Sequence, residues 1–324
     1  MPLDPDIKAF LDEQAAQNVP KLWQIPAETA RAARLELLAD VERLPVGRIN
    51  DHLVERPGGP LALRSYHPTG HSAPGALAPL LVYLHGGGFV FGDLETSDPL
   101  SRRLCEETQS VVVSVDYRLA PEHPYPAAVE DAVAAVRWSF ANASQLGTDP
   151  NRVVIAGDSA GGSLAITAAL AAIHDSAGSG SSPEPAKSAA SGLVLVYPVT
   201  DMRDLPYGSR SEYADGYGLS AADMEWFYQQ YIGEQRYVVD QPWASPMIIE
   251  DLSGLPPTLL LSAEYDPLRS EAEAFAERLE AQGVAVDYGC VNGMNHGALT
   301  NAEGFAAGRR LRSRIVTWIN DLVH

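Results

Sequence analysis

A serine between two glycines constrains this chain more than any other stretch, because residues 156–162 read Ala-Gly-Asp-Ser-Ala-Gly-Gly. An apolar β-branched run at 153–155 precedes it, and an alanine-rich pattern with helical spacing follows it. That order predicts a strand, a sharp turn and a helix. The turn strains the serine backbone, and Gly157 and Gly161 provide the neighbours without side chains that it requires. Ser159 is therefore a candidate nucleophile, although the same pattern also occurs in ordinary turns.

Charge and length limit what such a chain can bind. The 324 residues carry a formal net charge of −19, which repels nucleic acid and anionic lipid because both are bound mainly through Lys and Arg. No apolar run reaches membrane-spanning length, and the N-terminus lacks the pattern of a signal peptide. Cys105 and Cys290 lie far apart and indicate small buried hydrophobes, with no metal-ligand spacing. These features favour a cytoplasmic protein with a small, neutral partner.

Strand and helix patterns alternate along most of the chain. Two runs between Val46 and His67 predict an antiparallel hairpin. Five further apolar runs predict buried strands, and a last strand is expected near Val284 to Val291. The five runs begin near Leu80, Val111, Arg152, Gly192 and Thr258. Such alternation predicts an α/β protein with a mostly parallel sheet and helices on both faces.

Two segments outside this alternation predict a cap. Residues 1–45 contain two short helical patterns, which could pack on a core face or form part of a lid. Residues 202–245 have little strand signal and many aromatic side chains, so we interpret them as an inserted cap segment. The core would then comprise residues 46–201 and 246–324. Within the core, a run of Ser, Gly, Ala and Pro at 176–191 predicts a surface loop.

Aromatic residues of the cap are candidates for contacts with a ligand. Met224, Phe227, Tyr228 and Tyr231 recur at helical spacing, a pattern that more often indicates a core face than a ligand site. Because the cap segment interrupts the core, its apolar side is also expected to line a pocket. We therefore predict substrate contacts from Phe227, Tyr228 and Tyr231, and from Trp23 between the two N-terminal helical patterns.

Three successive glycines end the strand that begins near Leu80. Gly86, Gly87 and Gly88 follow His85 directly, so the backbone can turn sharply there and leave its amides accessible. Taken alone, the three glycines indicate only a flexible loop. Together with the serine turn they predict an oxyanion hole, in which backbone amides stabilise a developing negative charge.

A nucleophilic serine in this setting takes its acid and then its histidine from later strand ends. Three histidines follow Ser159 in the chain: His174, His296 and His324. His174 belongs to the helix directly after the turn, and His324 is the last residue. His296 lies on a glycine-containing loop after a strand, where an imidazole can reach inward, and is the candidate general base.

The acid has three candidates. Asp266 follows a strand directly and precedes Pro267, which fixes the turn, so its carboxylate can be held rigidly against an imidazole. Asp201, at the end of the preceding strand, and Glu264 compete with it. We favour Asp266, and the alternative reading of the other two is hydrogen bonding within loops and helix caps.

Several motifs in one order resemble the hormone-sensitive-lipase-like family of α/β-hydrolase carboxylesterases, bacterial family IV. The resemblance runs from about Leu80 to His296 and covers most of the chain. Its motifs are His-Gly-Gly-Gly at 85–88, Tyr-Arg-Leu-Ala-Pro-Glu-His-Pro at 117–124, Gly-Asp-Ser-Ala-Gly-Gly at 157–162, Asp-Pro-Leu at 266–268 and the loop of His296.

This resemblance implies a fold and a set of site residues. The fold is an α/β-hydrolase with an eight-stranded, mostly parallel sheet and a helical cap from the N-terminus and from an insertion. The activity is hydrolysis of short- or medium-chain acyl esters without a metal ion or an organic cofactor. The implied catalytic triad is Ser159, Asp266 and His296, and the implied oxyanion amides are those of Gly86, Gly87 and Ala160.

Two departures from the family pattern concern details. The family often has Phe or Tyr after the glycine that follows the histidine, whereas Ala298 follows Gly297 here. The loop at 176–191 is also longer than the family usually needs. The first departure is expected to alter packing beside the pocket, and neither touches the chemistry.

Other functions remain open at this point. An amidase or a lactonase could use the same three side chains, because the leaving group leaves little trace in the motifs. A non-catalytic ligand receptor on the same scaffold is disfavoured, since the sequence keeps a candidate for every role. The expected partner is a small-molecule ester, and a homodimer is neither required nor excluded by the sequence.

Overall fold

The computed structural model describes residues 1–17, 20–38, 41–70, 77–177, 190–300 and 303–324. Most of the predicted serine-rich loop at 176–191 lies outside the described residues. In the described ranges no helix combines the length and the apolar character that crossing a bilayer requires.

A central sheet organises the described part of the chain, and it contains eight strands. They are β1 (Arg48–Val54), β2 (Leu61–His67), β3 (Ala78–Leu84), β4 (Val111–Asp116), β5 (Thr148–Asp158), β6 (Gly192–Val196), β7 (Thr258–Tyr265) and β8 (Val286–Asn295). The spatial order is β1-β2-β4-β3-β5-β6-β7-β8. The strands pair in parallel from β4 to β8, while β2 runs antiparallel to both β1 and β4. The expected mostly parallel, eight-stranded sheet is therefore confirmed.

Helices cover both faces of the sheet. They are α1 (Pro5–Ala16), α2 (Ala27–Leu38), α3 (Leu94–Thr108), α4 (Ala127–Ala141), α5 (Ala143–Leu146), α6 (Ala160–Ala177), α7 (Gly208–Glu212), α8 (Ala221–Ile232), α9 (Arg269–Ala281) and α10 (Ala306–Val323). Short 3₁₀ helices lie at Leu22–Gln24, Arg236–Asp240 and Pro246–Ile248.

Strand periodicity divides the interior into two apolar cores. All seven residues of β3 are buried, because both faces of the sheet are covered. Leu80 and Val82 point to the core that contains side chains of α4, α6 and α9. Leu81 and Tyr83 point to the opposite core, which contains side chains of α1, α3 and α10. Alternate residues of one strand thus hold the two helical layers against the sheet.

The carboxyl ends of the parallel strands meet at one edge of the sheet. A polar residue directly follows four of these strands. β3 ends directly before His85, β5 before Ser159, β7 before Asp266 and β8 before His296. In an open α/β sheet this edge is where ligands bind. The fold therefore gathers residues that are up to 211 positions apart in the chain, from His85 to His296.

Asp116, the last residue of β4, provides a test of the fold by pH. Burial and the neighbouring Asp93 carboxylate raise the pKa of Asp116 from 3.8 to about 6, while Arg64 partly opposes them. The folded state therefore holds this proton more tightly than the unfolded chain, and it loses stability as the pH rises from about 4 to 6.

The Asp116→Asn variant removes this titration without changing the size of the side chain. We expect it to gain about 1–3 kcal/mol of unfolding free energy relative to the parent protein between pH 4.5 and pH 7.5. Urea unfolding of both proteins at the two pH values measures the change. A difference in stability that is the same at both pH values would show that Asp116 does not titrate between them.

Candidate active site

Ser159 occupies the single position between β5 and α6, and its backbone is strained. Its φ of +55° lies in the left-handed region, which residues with a Cβ seldom adopt. Its neighbours are glycines because space demands it: a Cβ at Gly157 would collide with the carbonyl group of Gly161, and one at Gly161 with the carbonyl oxygen of Leu84. The Ser159 amide donates to the Val196 carbonyl oxygen at 2.8 Å and fixes the turn. The expected strand, sharp turn and helix are all present.

His296 lies between Ser159 and Asp266 in a continuous hydrogen-bonded row. Its Nε2 is 2.9 Å from Ser159 Oγ, and its Nδ1 is 2.7 Å from Asp266 Oδ2. Asp266 is fully buried, and its Oδ1 accepts a hydrogen bond from the Leu268 amide at 2.8 Å. A carboxylate at Nδ1 keeps the ring proton on that nitrogen, so Nε2 presents its lone pair to the serine hydroxyl. The row can therefore remove a proton from Ser159.

The two competing carboxylates are engaged elsewhere. Asp201 is fully buried and accepts hydrogen bonds from the side chains of Arg203 and Tyr207. Burial acts to raise the pKa of Asp201, but these hydrogen bonds outweigh it and hold the pKa below its ordinary value. Glu264 accepts from the N-terminal amine at 2.8 Å and from the Gly293 amide at 2.6 Å. Among the three candidate acids, the structure places Asp266 on the imidazole.

The structure contradicts one predicted donor of the oxyanion hole, the amide of Gly86. The Gly86 amide donates to Asp158 Oδ1 at 2.8 Å, and the Tyr83 hydroxyl donates to the same oxygen at 2.6 Å. An amide held by a carboxylate inside the protein is not available to a ligand, so the expectation that Gly86 stabilises an oxyanion is wrong. Asp158, the residue before the serine, instead fixes the start of the loop.

His85 supports the same loop from behind. Its Nδ1 donates to the Gly86 carbonyl oxygen at 2.9 Å, and its ring stacks on Tyr117 with centroids 4.2 Å apart. The Tyr117 hydroxyl donates to the His85 carbonyl oxygen at 2.7 Å. Burial lowers the pKa of His85, so the ring stays neutral. The neutral ring holds the loop through its hydrogen bond to Gly86.

Gly87 and Gly88 present their backbone at the cavity beside Ser159. Both residues have positive φ, +127° and +61°, and both line the cavity that contains the serine. Among the described residues no protein acceptor is found for either amide. Ala160 begins α6, so its amide has no partner within the helix. Gly88 was missed in the sequence because three equivalent glycines do not reveal which amide the Asp158 side chain occupies.

The cavity above these residues has a volume of about 390 Å³. Its floor is formed by Ser159, His296 and the glycine loop. Its walls come from the N-terminal segment and from the segment around α8. The apolar wall residues are Phe10, Leu11, Leu22, Phe91, Val199, Leu219, Met224, Phe227, Leu268 and Phe305. An apolar cavity over a polar floor suits a ligand with a hydrocarbon part and one reactive polar group.

Of the four predicted cap contacts, the structure brings two to the cavity. Phe227 and Tyr228 line it. Trp23 does not, because its side of the short 3₁₀ helix is 45% exposed and the neighbouring Leu22 reaches the cavity instead. Tyr231 is fully buried and stacks on Phe89 with ring centroids 3.9 Å apart, so it belongs to the core. The prediction for Tyr231 is wrong, and Trp23 does not line this cavity.

Comparisons with known sequences agree with this geometry. The alpha/beta hydrolase fold family matches residues 81–300, more than half of the chain. The carboxylic ester hydrolase LipN from Mycobacterium tuberculosis is 40% identical over 315 residues, which cover 94% of this chain and 80% of LipN. An arylesterase from Saccharolobus solfataricus is 35% identical over 301 residues, with 92% of this chain and 93% of the arylesterase covered.

Solved structures lead to the same conclusion. A hyperthermophilic esterase from Pyrobaculum calidifontis superposes with a TM-score of 0.90 at 39% sequence identity, over 99% of both chains. The structure of an arylesterase superposes with a TM-score of 0.86 at 33% identity, over 99% of this chain and 100% of the other. By sequence and by fold, the chain belongs to the hormone-sensitive-lipase-like carboxylesterases of the α/β-hydrolase superfamily.

Proposed function

We propose that this chain is a serine carboxylesterase that hydrolyses short- to medium-chain acyl esters through an acyl-enzyme. One observation carries the proposal: Ser159 Oγ, His296 and Asp266 form one hydrogen-bonded row on the floor of an apolar cavity. A base within hydrogen-bond reach of a hydroxyl, oriented by a buried carboxylate, is the arrangement that activates a serine.

Acylation begins when Ser159 Oγ attacks the ester carbonyl carbon and its proton moves to His296 Nε2. Asp266 stabilises the resulting imidazolium and keeps the ring in place. The carbonyl oxygen becomes an oxyanion, which accepts hydrogen bonds from the amides of Gly87, Gly88 and Ala160. As the tetrahedral intermediate collapses, His296 gives the proton to the departing alcohol oxygen, and the acyl group stays on Ser159.

Deacylation repeats these steps with water in place of the alcohol. His296 Nε2 takes a proton from water, and the hydroxide formed attacks the acyl carbon. The same amides stabilise the second oxyanion. Collapse of this intermediate breaks the bond to Ser159 Oγ, which takes its proton back from His296, and the carboxylic acid leaves.

Phe227 sets the acyl-chain length in this proposal, because its ring lies directly over the glycine loop. A Cβ at Gly88 would collide with that ring, so the aromatic wall and the loop are in contact. Phe227→Ala opens the cavity, and we expect it to raise the kcat/KM ratio of octanoate to butyrate p-nitrophenyl ester about 10-fold. Initial rates with the two esters measure the ratio.

Tyr231→Phe is the matched control for that experiment. It removes a buried hydroxyl that has no hydrogen-bond partner within the described ranges and that lies outside the cavity lining. The ratio should stay at its parent value in this variant. An unchanged ratio in Phe227→Ala would assign the chain-length limit to another wall.

A comparison of rates on an ester and an amide with the same acyl group tests the reaction class. We expect p-nitrophenyl butyrate to be hydrolysed and the corresponding p-nitroanilide to react at least about 100-fold more slowly, a difference of about 3 kcal/mol in barrier. Comparable rates would assign an amidase instead. Binding of the ester without product release would assign a ligand receptor.

The location and the assembly of the protein are proposed on separate grounds. Cys105 and Cys290 are free thiols, which fits the reducing conditions of the cytoplasm. Among the described residues β8 is an edge strand of the sheet, and the side that faces away from β7 can offer backbone groups to a second copy of the chain. A cytoplasmic enzyme that forms homodimers is consistent with both features.

A further inference from the structure

Arg34 lines the same cavity as Ser159 and His296, and its guanidinium has few partners among the described residues. Its only side-chain hydrogen bond among the described residues is from Nη2 to Thr300 Oγ1, at 3.5 Å the long limit of such a bond. Its Nε is buried and has no acceptor in the part of the chain that the structure describes. No carboxylate of the described ranges lies within 4.0 Å of this side chain.

Arg31 lies on the same helix and has a structural role. Its Nε donates to the Val90 carbonyl oxygen at 2.7 Å, and its Nη2 donates to the Ala120 carbonyl oxygen at 2.7 Å. Two further hydrogen bonds reach the Glu122 carboxylate at 2.9 and 2.7 Å. Arg31 thus anchors α2 to the core, so Arg34, one turn later, is not needed for that purpose.

The two carboxylates that line the cavity with Arg34 accept their hydrogen bonds from other groups. Asp158 accepts from Tyr83 and from the Gly86 amide. Asp223 caps α8 by accepting from the amide and the hydroxyl of Ser220 at 2.9 and 2.6 Å. Arg34 is therefore a cavity-lining cation with which no carboxylate of the described residues forms an ion pair, and it shares the cavity with the serine and the imidazole of the proposed reaction.

We propose that Arg34 is a specificity residue that binds a carboxylate carried by the ester substrate. A planar guanidinium pairs with a carboxylate through two parallel hydrogen bonds, and such pairs are stronger when solvent is limited. A single arginine neutralises one negative charge. A monoanionic carboxylate therefore suits this cavity better than a phosphate dianion, which would leave excess charge in a protein of net charge −19.

This inference rests on the proposed esterase function and specifies its substrate class. It also revises the expectation of a neutral partner, because the overall charge acts at long range whereas Arg34 acts in contact with the ligand. The carboxylate can be on the acyl part or on the alcohol part of the ester, and two probes separate these cases.

The test compares charged and neutral esters of similar size. Monoethyl adipate carries its carboxylate on the acyl part, and ethyl hexanoate is its neutral counterpart. The ester 4-acetoxybutanoate carries its carboxylate on the alcohol part, and butyl acetate is its neutral counterpart. Acid release in a pH-stat gives kcat and KM for each ester with the parent protein and with Arg34→Gln, Arg34→Lys and Arg236→Gln.

We expect Arg34→Gln to lower kcat/KM for at least one charged ester about 10- to 100-fold, mainly through KM, and to leave both neutral esters within about twofold. Arg34→Lys should recover part of the loss, because it restores the charge without the planar fork. Arg236→Gln makes the same change of net charge at an exposed position away from the cavity, and should match the parent protein.

Two results would overturn the inference. If Arg34→Gln lowers kcat/KM equally for charged and neutral esters, Arg34 supports the structure and does not bind a carboxylate of the substrate. If the parent protein hydrolyses the neutral esters and Arg34→Gln changes no rate, the substrate class is wrong while the esterase proposal stands. Failure of the parent protein on all four esters would instead remove the esterase proposal and this inference together.

Discussion

Replacing Ser159 with Ala is expected to lower kcat for p-nitrophenyl butyrate by about 10⁴- to 10⁶-fold, because it removes the oxygen that forms the proposed acyl-enzyme. The variant loses one oxygen atom from a turn that glycines and the Val196 carbonyl group already hold. We therefore expect its thermal unfolding midpoint to stay within a few degrees of the parent value, so that the loss of rate is chemical.

Ser163→Ala is the matched control for this substitution. Ser163 is a buried serine one turn further along α6, and it lies outside the cavity lining. The control removes the same atom and should keep turnover within a few-fold of the parent rate. If Ser159→Ala retained more than about one hundredth of the parent kcat, another nucleophile would have to be found.

Replacing Asp266 with Asn is expected to lower kcat about 10⁴-fold. An amide in this position can donate to His296 Nδ1, which stabilises the tautomer with its proton on Nε2. That tautomer cannot accept the Ser159 proton, and the imidazolium also loses its counter-charge. Stopped assays with p-nitrophenyl butyrate, together with circular dichroism to check folding, measure the effect.

Glu264→Gln provides the contrast, because it changes a carboxylate two positions earlier in the chain. Glu264 binds the N-terminal amine and the Gly293 amide, and it does not contact His296. We expect it to change stability modestly and kcat by less than about fivefold, since an exposed ion pair contributes little. Equal losses of kcat in the two variants would mean that the acid has been assigned to the wrong carboxylate.

Much of the architecture could be predicted because its signals are local. Apolar β-branched runs and glycine or proline boundaries located the strands to within a few residues, as for Thr258–Tyr265, where the run began at the predicted position. Parallel pairing followed from the alternation with helices. Once the strands are parallel, their carboxyl ends share an edge, and this brings Ser159, Asp266 and His296 together from distant parts of the sequence.

The details that escaped prediction depend on side-chain contacts across the fold. Gly86, Gly87 and Gly88 look alike in the sequence, and only the Asp158 carboxylate, reaching across from β5 to bond Tyr83 and Gly86, distinguishes them. Helical spacing places Tyr231 on one stripe with Phe227, but it does not tell which part of the stripe meets Phe89 and which meets the cavity.

The location of Arg34 in the cavity could not be predicted from the sequence either. In the sequence Arg34 is one of two arginines in the second N-terminal helical pattern, and that pattern does not distinguish the two. The structure distinguishes them through their partners: Arg31 is hydrogen-bonded to two carbonyl oxygens and a carboxylate, whereas Arg34 faces the cavity. Helix periodicity predicts which face a residue occupies, but the partners of that face come from elements distant in the chain.

Covalent labelling of Ser159 tests the central claim most directly. A p-nitrophenyl alkylphosphonate transfers its phosphonyl group to an activated serine and releases p-nitrophenol, so intact-mass spectrometry counts the labels and peptide mapping locates them. We predict one phosphonyl group per chain, attached to Ser159, with loss of esterase activity in proportion to labelling and no labelling of Ser159→Ala. Activity that persists in fully labelled protein, or inactivation with the label on another residue, would contradict the account.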